Sequence, residues 1–206
     1  MTLKYLYCIN DLPENAVLDG DLAIDTEAMG LNNHRDRLCL VQISDANQNV
    51  YLIHFQNGNY CAPNLRNLLI DNKNMKIFHF ARFDVAIIRK YLDIRLSNVF
   101  CTKLASRLCR TYTNYHSLSD LCMEMLNVKI SKQQQSSDWG ASKLKKEQLE
   151  YATRDVLYLH QLRDQLTIRL ARENRLSIAQ QSFKFLPYRA ELDLLGWADS
   201  DIFSHH

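Results

Sequence analysis

Glycine and proline are scarce. Five and three occur among 206 residues, which excludes collagen-like and linker-rich chains. No apolar run is long enough to cross a bilayer, so no membrane partner is expected. The first residues, MTLKYLYCINDLPEN, lack the apolar core of a secretion signal. The six cysteines (8, 39, 61, 101, 109 and 122) form no CxxC pair and no Cys/His zinc spacing. Several lie in apolar runs such as Leu38-Cys39-Leu40-Val41, the pattern of reduced, buried thiols in a cytoplasmic protein. Strong net charge is also missing. The formal value of +2 is too mild to mark a nucleic-acid binder by itself.

What is present is enough apolar material, 47% of residues, for one compact core. Leu22-Ala23-Ile24, Arg37 to Ser44, Asn49 to Phe55, Met75 to Phe80 and Val99 to Cys101 read as strands, with a hairpin turn at Asp45 to Gln48. Helical spacing covers Asn64 to Ile70, Asp84 to Tyr91, Thr102 to Arg110, Ser117 to Leu126 and one long helix from Lys146 to Ala171. Strands first as a meander, then alternating with helices, predict an α/β fold with a mixed sheet flanked by helices. Residues 1–172 are expected to form one domain, and the partly apolar tail 173–206 to pack back on it. Charge is unevenly spread. Residues 1–31 carry six acids against Lys4, whereas residues 82–110 carry seven basic residues against Asp84 and Asp93. Such a split suits metal ions beside a polyanion, and equally suits ordinary solvated surface.

Three short patterns carry chemistry. In Ala23-Ile24-Asp25-Thr26-Glu27 the two acids are two apart. On a strand they share a face, roughly 7 Å apart. Two carboxylates at the end of an apolar strand call for a cation or a shared proton; the alternative is a strand end already in water. His79-Phe80-Ala81-Arg82-Phe83-Asp84 follows a strand and opens a helix. Asp84 there is either a ligand or a helix-start acid favoured by the dipole. Phe80 and Phe83 either stack on bases or fill the core. Tyr151 and Asp155 are i and i+4 on a helix and share a face. His160 and Asp164 have the same spacing, but on a continuous helix they fall towards solvent, whereas Tyr151 and Asp155 border the apolar stripe.

In this order the patterns resemble the DEDD exonucleases, in their tyrosine-containing, RNase D-like branch. Asp25-Thr26-Glu27 looks like the first motif, His79 to Asp84 the second, and Tyr151 to Asp155 the third. The segment Ser131 to Trp139 (SKQQQSSDW) also resembles short bacterial members. Where many relatives have an aspartate before the threonine matching Thr102, this chain has Cys101, which matches no metal ligand. The residues after the long helix are too few for the HRDC module of RNase D, so that enzyme's RNA substrates do not transfer directly.

The resemblance implies an RNase H-like fold and 3′–5′ cleavage of a nucleic acid with a free 3′ end, releasing nucleoside 5′-monophosphates. The implied cofactors are two divalent metal ions, Mg²⁺ or Mn²⁺. Asp25, Glu27, Asp84 and Asp155 are the implied metal ligands, and Tyr151 would orient the attacking water. Thr26, Met29, Leu31, His79, Phe83 and Lys132 are the implied substrate contacts. RNA is the favoured substrate. An exonuclease on DNA and a non-catalytic nucleic-acid-binding protein are the alternatives.

Overall fold

Leu22–Ala28 and Leu38–Ser44 are largely buried on both faces, and they form the middle of a six-stranded sheet. In the computed structural model, which describes residues 3–131 and 133–205, the strands are β1 (Leu6–Ile9), β2 (Leu22–Ala28), β3 (Leu38–Ser44), β4 (Val50–His54), β5 (Lys76–Phe78) and β6 (Val99–Cys101). The helices are α1 (Pro63–Ile70), α2 (Ala81–Leu92), α3 (Thr102–Cys109), α4 (Leu118–Leu126), α5 (Lys146–Leu157), α6 (Leu159–Arg172) and α7 (Leu176–Leu192), followed by a π-helical turn at Asp193–Trp197.

The sheet order is β1-β4-β3-β2-β5-β6. β2, β3 and β4 form the antiparallel meander, while β5 and β6 add in parallel and β1 pairs parallel to β4. This is the expected mixed sheet flanked by helices. The β3–β4 hairpin is tied by Asp45, whose Oδ1 accepts from the N–H groups of Asn47 and Asn49 at 2.9 and 2.8 Å. β1 escapes sequence patterning because it is exposed along both faces and shows no alternation.

The long helix expected over Lys146 to Ala171 is two helices, α5 and α6, joined at Tyr158 (φ −103°, ψ −5°). Neither glycine nor proline marks the joint, and α5 turns Ala152 and Val156 to the core as α6 turns its leucines, so the apolar spacing runs through it unbroken. Helical phase is not carried across the joint. His160, expected to face solvent, is half-buried and bonds Asp21 O through Nε2 at 2.8 Å. Asp164 is exposed and pairs with Arg163.

Beyond α6 the chain folds back. α7 packs against α2 and β6, with Phe183 on Phe100 at 4.6 Å between ring centroids. Arg82 at the start of α2 then grips Asp193 in a two-pronged ion pair of 2.6 and 2.8 Å, and Arg189 adds a second cation at 3.1 Å. None of the described helices is long and apolar enough to cross a membrane.

Candidate active site

The last four residues of β2 carry the first two acids. Asp25 and Glu27 point to the same face, and the strand register slips just after them, between Glu27 and Ala28. Such a bulge bends a strand end and re-aims its side chains. α5 crosses that face and brings Asp155 to the pair. One carboxylate oxygen from each of Asp25, Glu27 and Asp155 lies within 4.8 Å of the others. Asp84, in the first turn of α2, stands beside this trio, and its Oδ1 accepts a 2.7 Å hydrogen bond from the Thr26 hydroxyl.

Asp84 and Asp155 are buried, at 3% and 8% exposure, and none of the four acids forms an ion pair among the described residues. Burial pushes the Asp25 carboxyl up to about 7, with a backbone hydrogen bond at Thr26 opposing. Burial, then the charges of Asp25, Asp155 and Asp84, hold Glu27 well above the usual carboxylate range. Asp84 and Asp155 are raised by burial and by Asp25. Four desolvated acids with no paired protein cation among the described residues call for a cation from solution. All the donors are hard carboxylate oxygens from converging segments, which suits a divalent ion such as Mg²⁺.

Tyr151 lies one helical turn before Asp155. Burial, then the charges of Asp155, Glu27 and Asp25, raise its phenol far above the ordinary tyrosine value, so it keeps its proton. The buried ring of Trp139 stands 6.1 Å from it, centroid to centroid.

These groups floor a cavity of about 590 Å³. Thr26, Met29, Leu31, His79 and Phe83 line it as well. Met29 and Leu31 are the exposed ones, at 51% and 87%. Thr26 is buried, and its hydroxyl is committed to Asp84. His79 Nδ1 meets Thr102 Oγ1 at 2.9 Å, and burial followed by the charge of Lys103 drives its pKa down to about 3, so the ring is neutral. Lys132 lies outside the described residues. A larger groove of about 1070 Å³ runs between α6, α7 and β6, but its lining contains a single acid, Asp164. Chemistry, not size, singles out the first cavity.

Sequence patterns passed over two residues here. Gln42 is the β3 partner of Asp25, fully buried, and donates from Nε2 to Asp25 Oδ2 at 3.4 Å. The signal was a lone amide in the apolar run Leu38-Cys39-Leu40-Val41-Gln42-Ile43. Lys103 also lines the cavity, with its ammonium 4.4 Å from the centre of the Phe80 ring. Only the fold brings α3 to this place.

Comparison with known proteins agrees with the geometry. A family described as 3′–5′ exonuclease matches residues 8–171. The solved structure of Brucella melitensis NrnC bound to pGG is 51% identical, covers 100% of both chains and superposes with a TM-score of 0.94. A second structure of that protein, with bound Mg²⁺, is also 51% identical, covers 98% of this chain and 99% of the other, and has a TM-score of 0.92. Among curated proteins, DNA polymerase I of Aquifex aeolicus (strain VF5) is 37% identical over 68% of this chain and 22% of its own length. Ribonuclease D of Sphingobium indicum is 31% identical over 75% of this chain and 39% of its own. The chain thus spans well under half the length of these curated relatives. The fold is RNase H-like, as in the structural neighbours. The matched span contains the whole carboxylate cluster and Tyr151, and on these grounds the chain belongs to the 3′–5′ exonuclease family.

Proposed function

We propose that this chain is a 3′–5′ exoribonuclease that releases nucleoside 5′-monophosphates from the 3′ end of RNA, with two divalent ions, Mg²⁺ or Mn²⁺, as cofactor. One observation carries the reading. Asp25, Glu27 and Asp155 converge with no Lys or Arg paired to them among the described residues, beside a tyrosine that stays protonated. Asp25, Glu27 and Asp155 would hold one ion, and Asp25 with Asp84 the other. Bound there, such ions supply Lewis acidity towards a phosphoryl oxygen and lower the pKa of a bound water.

The chain's own groups do the rest. Tyr151 orients the attacking water by a hydrogen bond, and its raised pKa argues against a general-base role. The Thr26 hydroxyl fixes the Asp84 carboxylate, so its contribution to substrate binding runs through that acid. Met29 and Leu31, exposed at the cavity mouth, offer apolar faces to the terminal base, and Phe83 an aromatic one. The neutral His79 ring can hydrogen-bond a nucleotide without adding charge. Lys132 is kept as a phosphate contact on its sequence position alone.

RNA is favoured over DNA by the Ribonuclease D relative and by pGG in the Brucella structure. A DNA exonuclease is the second reading, supported by the 37% identity to a DNA polymerase I. Residues 173–206 are taken as part of the same working unit, because Arg82 of α2 is tied to Asp193. A cytoplasmic setting fits cysteines that are unbridged throughout.

Matched single-stranded RNA and DNA, each with a 3′-hydroxyl or a 3′-phosphate, test the proposal in Mg²⁺, Mn²⁺ and EDTA. The expected result is stepwise release of 5′-monophosphates from 3′-hydroxyl RNA, blocked by the 3′-phosphate and by EDTA. Faster cleavage of DNA overturns the choice of substrate. Release from 3′-blocked ends overturns the polarity.

A further inference from the structure

Gln42 is an amide where the fold asks for a hydrocarbon. It stands in the run Leu38-Cys39-Leu40-Val41-Gln42-Ile43 at 0% exposure, and every neighbour in that run is buried and apolar. A methionine has nearly the same length and volume and needs no partner there. The amide is short of partners. Its Oε1 is buried and accepts no hydrogen bond among the described residues, and its Nε2 makes one bond, to Asp25 Oδ2. Burying a polar group with its bonds unmade is unfavourable. Gln42 therefore works against the stability of the sheet, and its reason lies at Asp25.

The two residues are direct partners across β2 and β3, so their side chains rise from the same face of the sheet. Asp25 lines the cavity and Gln42 does not. The amide thus lies out of reach of a substrate held there and acts through Asp25. Charge fixes which end of the amide faces the carboxylate: an N–H is attracted to an anionic oxygen, and a carbonyl is repelled. At 3.4 Å the bond is longer than the usual range of about 2.7–3.2 Å. Bonds to an ionised acceptor close to about 2.7–2.9 Å. Contacts in an unliganded site commonly tighten when the ligand arrives.

Asp25 has the hardest geometric task of the four acids, because in the reading proposed above it serves both ions. A carboxylate turns about a broad, roughly two-fold torsion, so by itself it does not keep one orientation. The backbone of Thr26 holds it from its own strand by a hydrogen bond. Gln42 supplies a second hold, from the neighbouring strand. We propose that Gln42 is a positioning residue that fixes the rotation of the Asp25 carboxylate. Its N–H claims one lone pair of Oδ2 on the β3 side and leaves the others aimed towards Glu27, Asp84 and Asp155, where the ions would bind. Outer partners of this kind orient metal ligands and tune their affinity. The inference rests on the metal-site reading.

Metal binding without substrate tests this. The full chain is titrated with Mn²⁺ in the absence of nucleic acid, and the free ion is read by electron paramagnetic resonance. Gln42→Met is expected to weaken Mn²⁺ binding by about 10- to 100-fold. Its melting point in EDTA is expected to stay at or above that of the wild type, because the orphaned oxygen is gone. At saturating Mn²⁺ its KM for single-stranded RNA is expected to match the wild type, since the amide does not reach the cavity. Wild-type Mn²⁺ affinity in Gln42→Met overturns the positioning role. A structure of the wild-type chain with Mg²⁺ needs no variant to fold. There the Nε2 to Oδ2 distance is expected to close from 3.4 Å to about 2.7–2.9 Å, and an amide turned away from Oδ2 overturns the role as well. A wild-type chain that binds no Mn²⁺ overturns the metal-site reading and the positioning role with it, whereas normal wild-type binding beside an unaffected Gln42→Met overturns the positioning role alone.

Discussion

Asp155 and Asp193 are nearly equally buried, at 8% and 6% exposure, but their surroundings are opposite. Asp193 is gripped by Arg82 through two oxygens and approached by Arg189. Asp155 faces Asp25, Glu27 and a protonated phenol, with no ion pair of its own among the described residues. Taking a carboxylate out of water is costly unless a cation follows it. At Asp193 the chain supplies the cation. At Asp155 it supplies more carboxylates, an arrangement that becomes favourable only when a cation arrives from solution. A buried acid with its own arginine serves the fold, while a buried acid held among other acids serves a ligand.

Replacing one acid in each region should give opposite results, and the larger effect belongs to the cavity. Asp25→Asn keeps the shape and removes one charge from the cluster. Lewis-acid assistance is worth several kcal/mol, so the loss in kcat is expected to be on the order of 10³-fold or more. The metal-free variant should melt a few degrees above the metal-free wild type, because a like-charge conflict is relieved. Scanning calorimetry in EDTA beside a nucleotide-release assay checks both. A melting point that falls would mean that Asp25 is a structural acid like Asp193.

Asp193→Asn is the mirror experiment. Breaking a buried pair by removing one partner costs about 3–5 kcal/mol. Arg82 and Arg189 keep 34% and 19% of their side-chain surface in water, so screening reduces this to about 2–3 kcal/mol. Denaturant titration is expected to report that loss equally with and without Mg²⁺. A loss confined to the Mg²⁺ form would tie Asp193 to the metal site and erase the contrast between the regions.

The two regions also differ in how legible they are in the sequence. Asp25 and Glu27 can be assigned to one face because strand periodicity is local, and Tyr151 with Asp155 because one helical turn is local too. The clamp is not legible: Arg82 and Asp193 lie 111 positions apart, and nothing near either residue points to the other. Separation along the chain also hides Lys103, which joins the cavity only because β6 lays α3 beside β5 and α2. Gln42 stood out as an amide among aliphatics, but its role needed the β2–β3 register. The joint at Tyr158 was invisible for a different reason: it breaks the backbone without breaking the apolar stripe, so periodicity passes across it.

The last test is the dependence of stability on pH. Burial raises the Asp25 carboxyl from the ordinary 3.8 to about 7 in the metal-free chain. Between those values the folded state holds a proton that the unfolded state has released. Where the folded state binds more protons, stability falls as pH rises. The metal-free protein is therefore expected to lose melting temperature steadily from about pH 4 to about pH 7, with its full stability on the acid side of that window. Mg²⁺ competes with that proton, so the gap between melting points in Mg²⁺ and in EDTA should widen with pH over the same range. Asp25→Asn, which removes one of four raised acids, should make the EDTA curve shallower, whereas Asp193→Asn should shift it down without changing its slope. Equal slopes in wild type and Asp25→Asn would mean that Asp25 does not titrate in this window. The deficit assigned to the cluster would then have to lie with Glu27, Asp84 and Asp155.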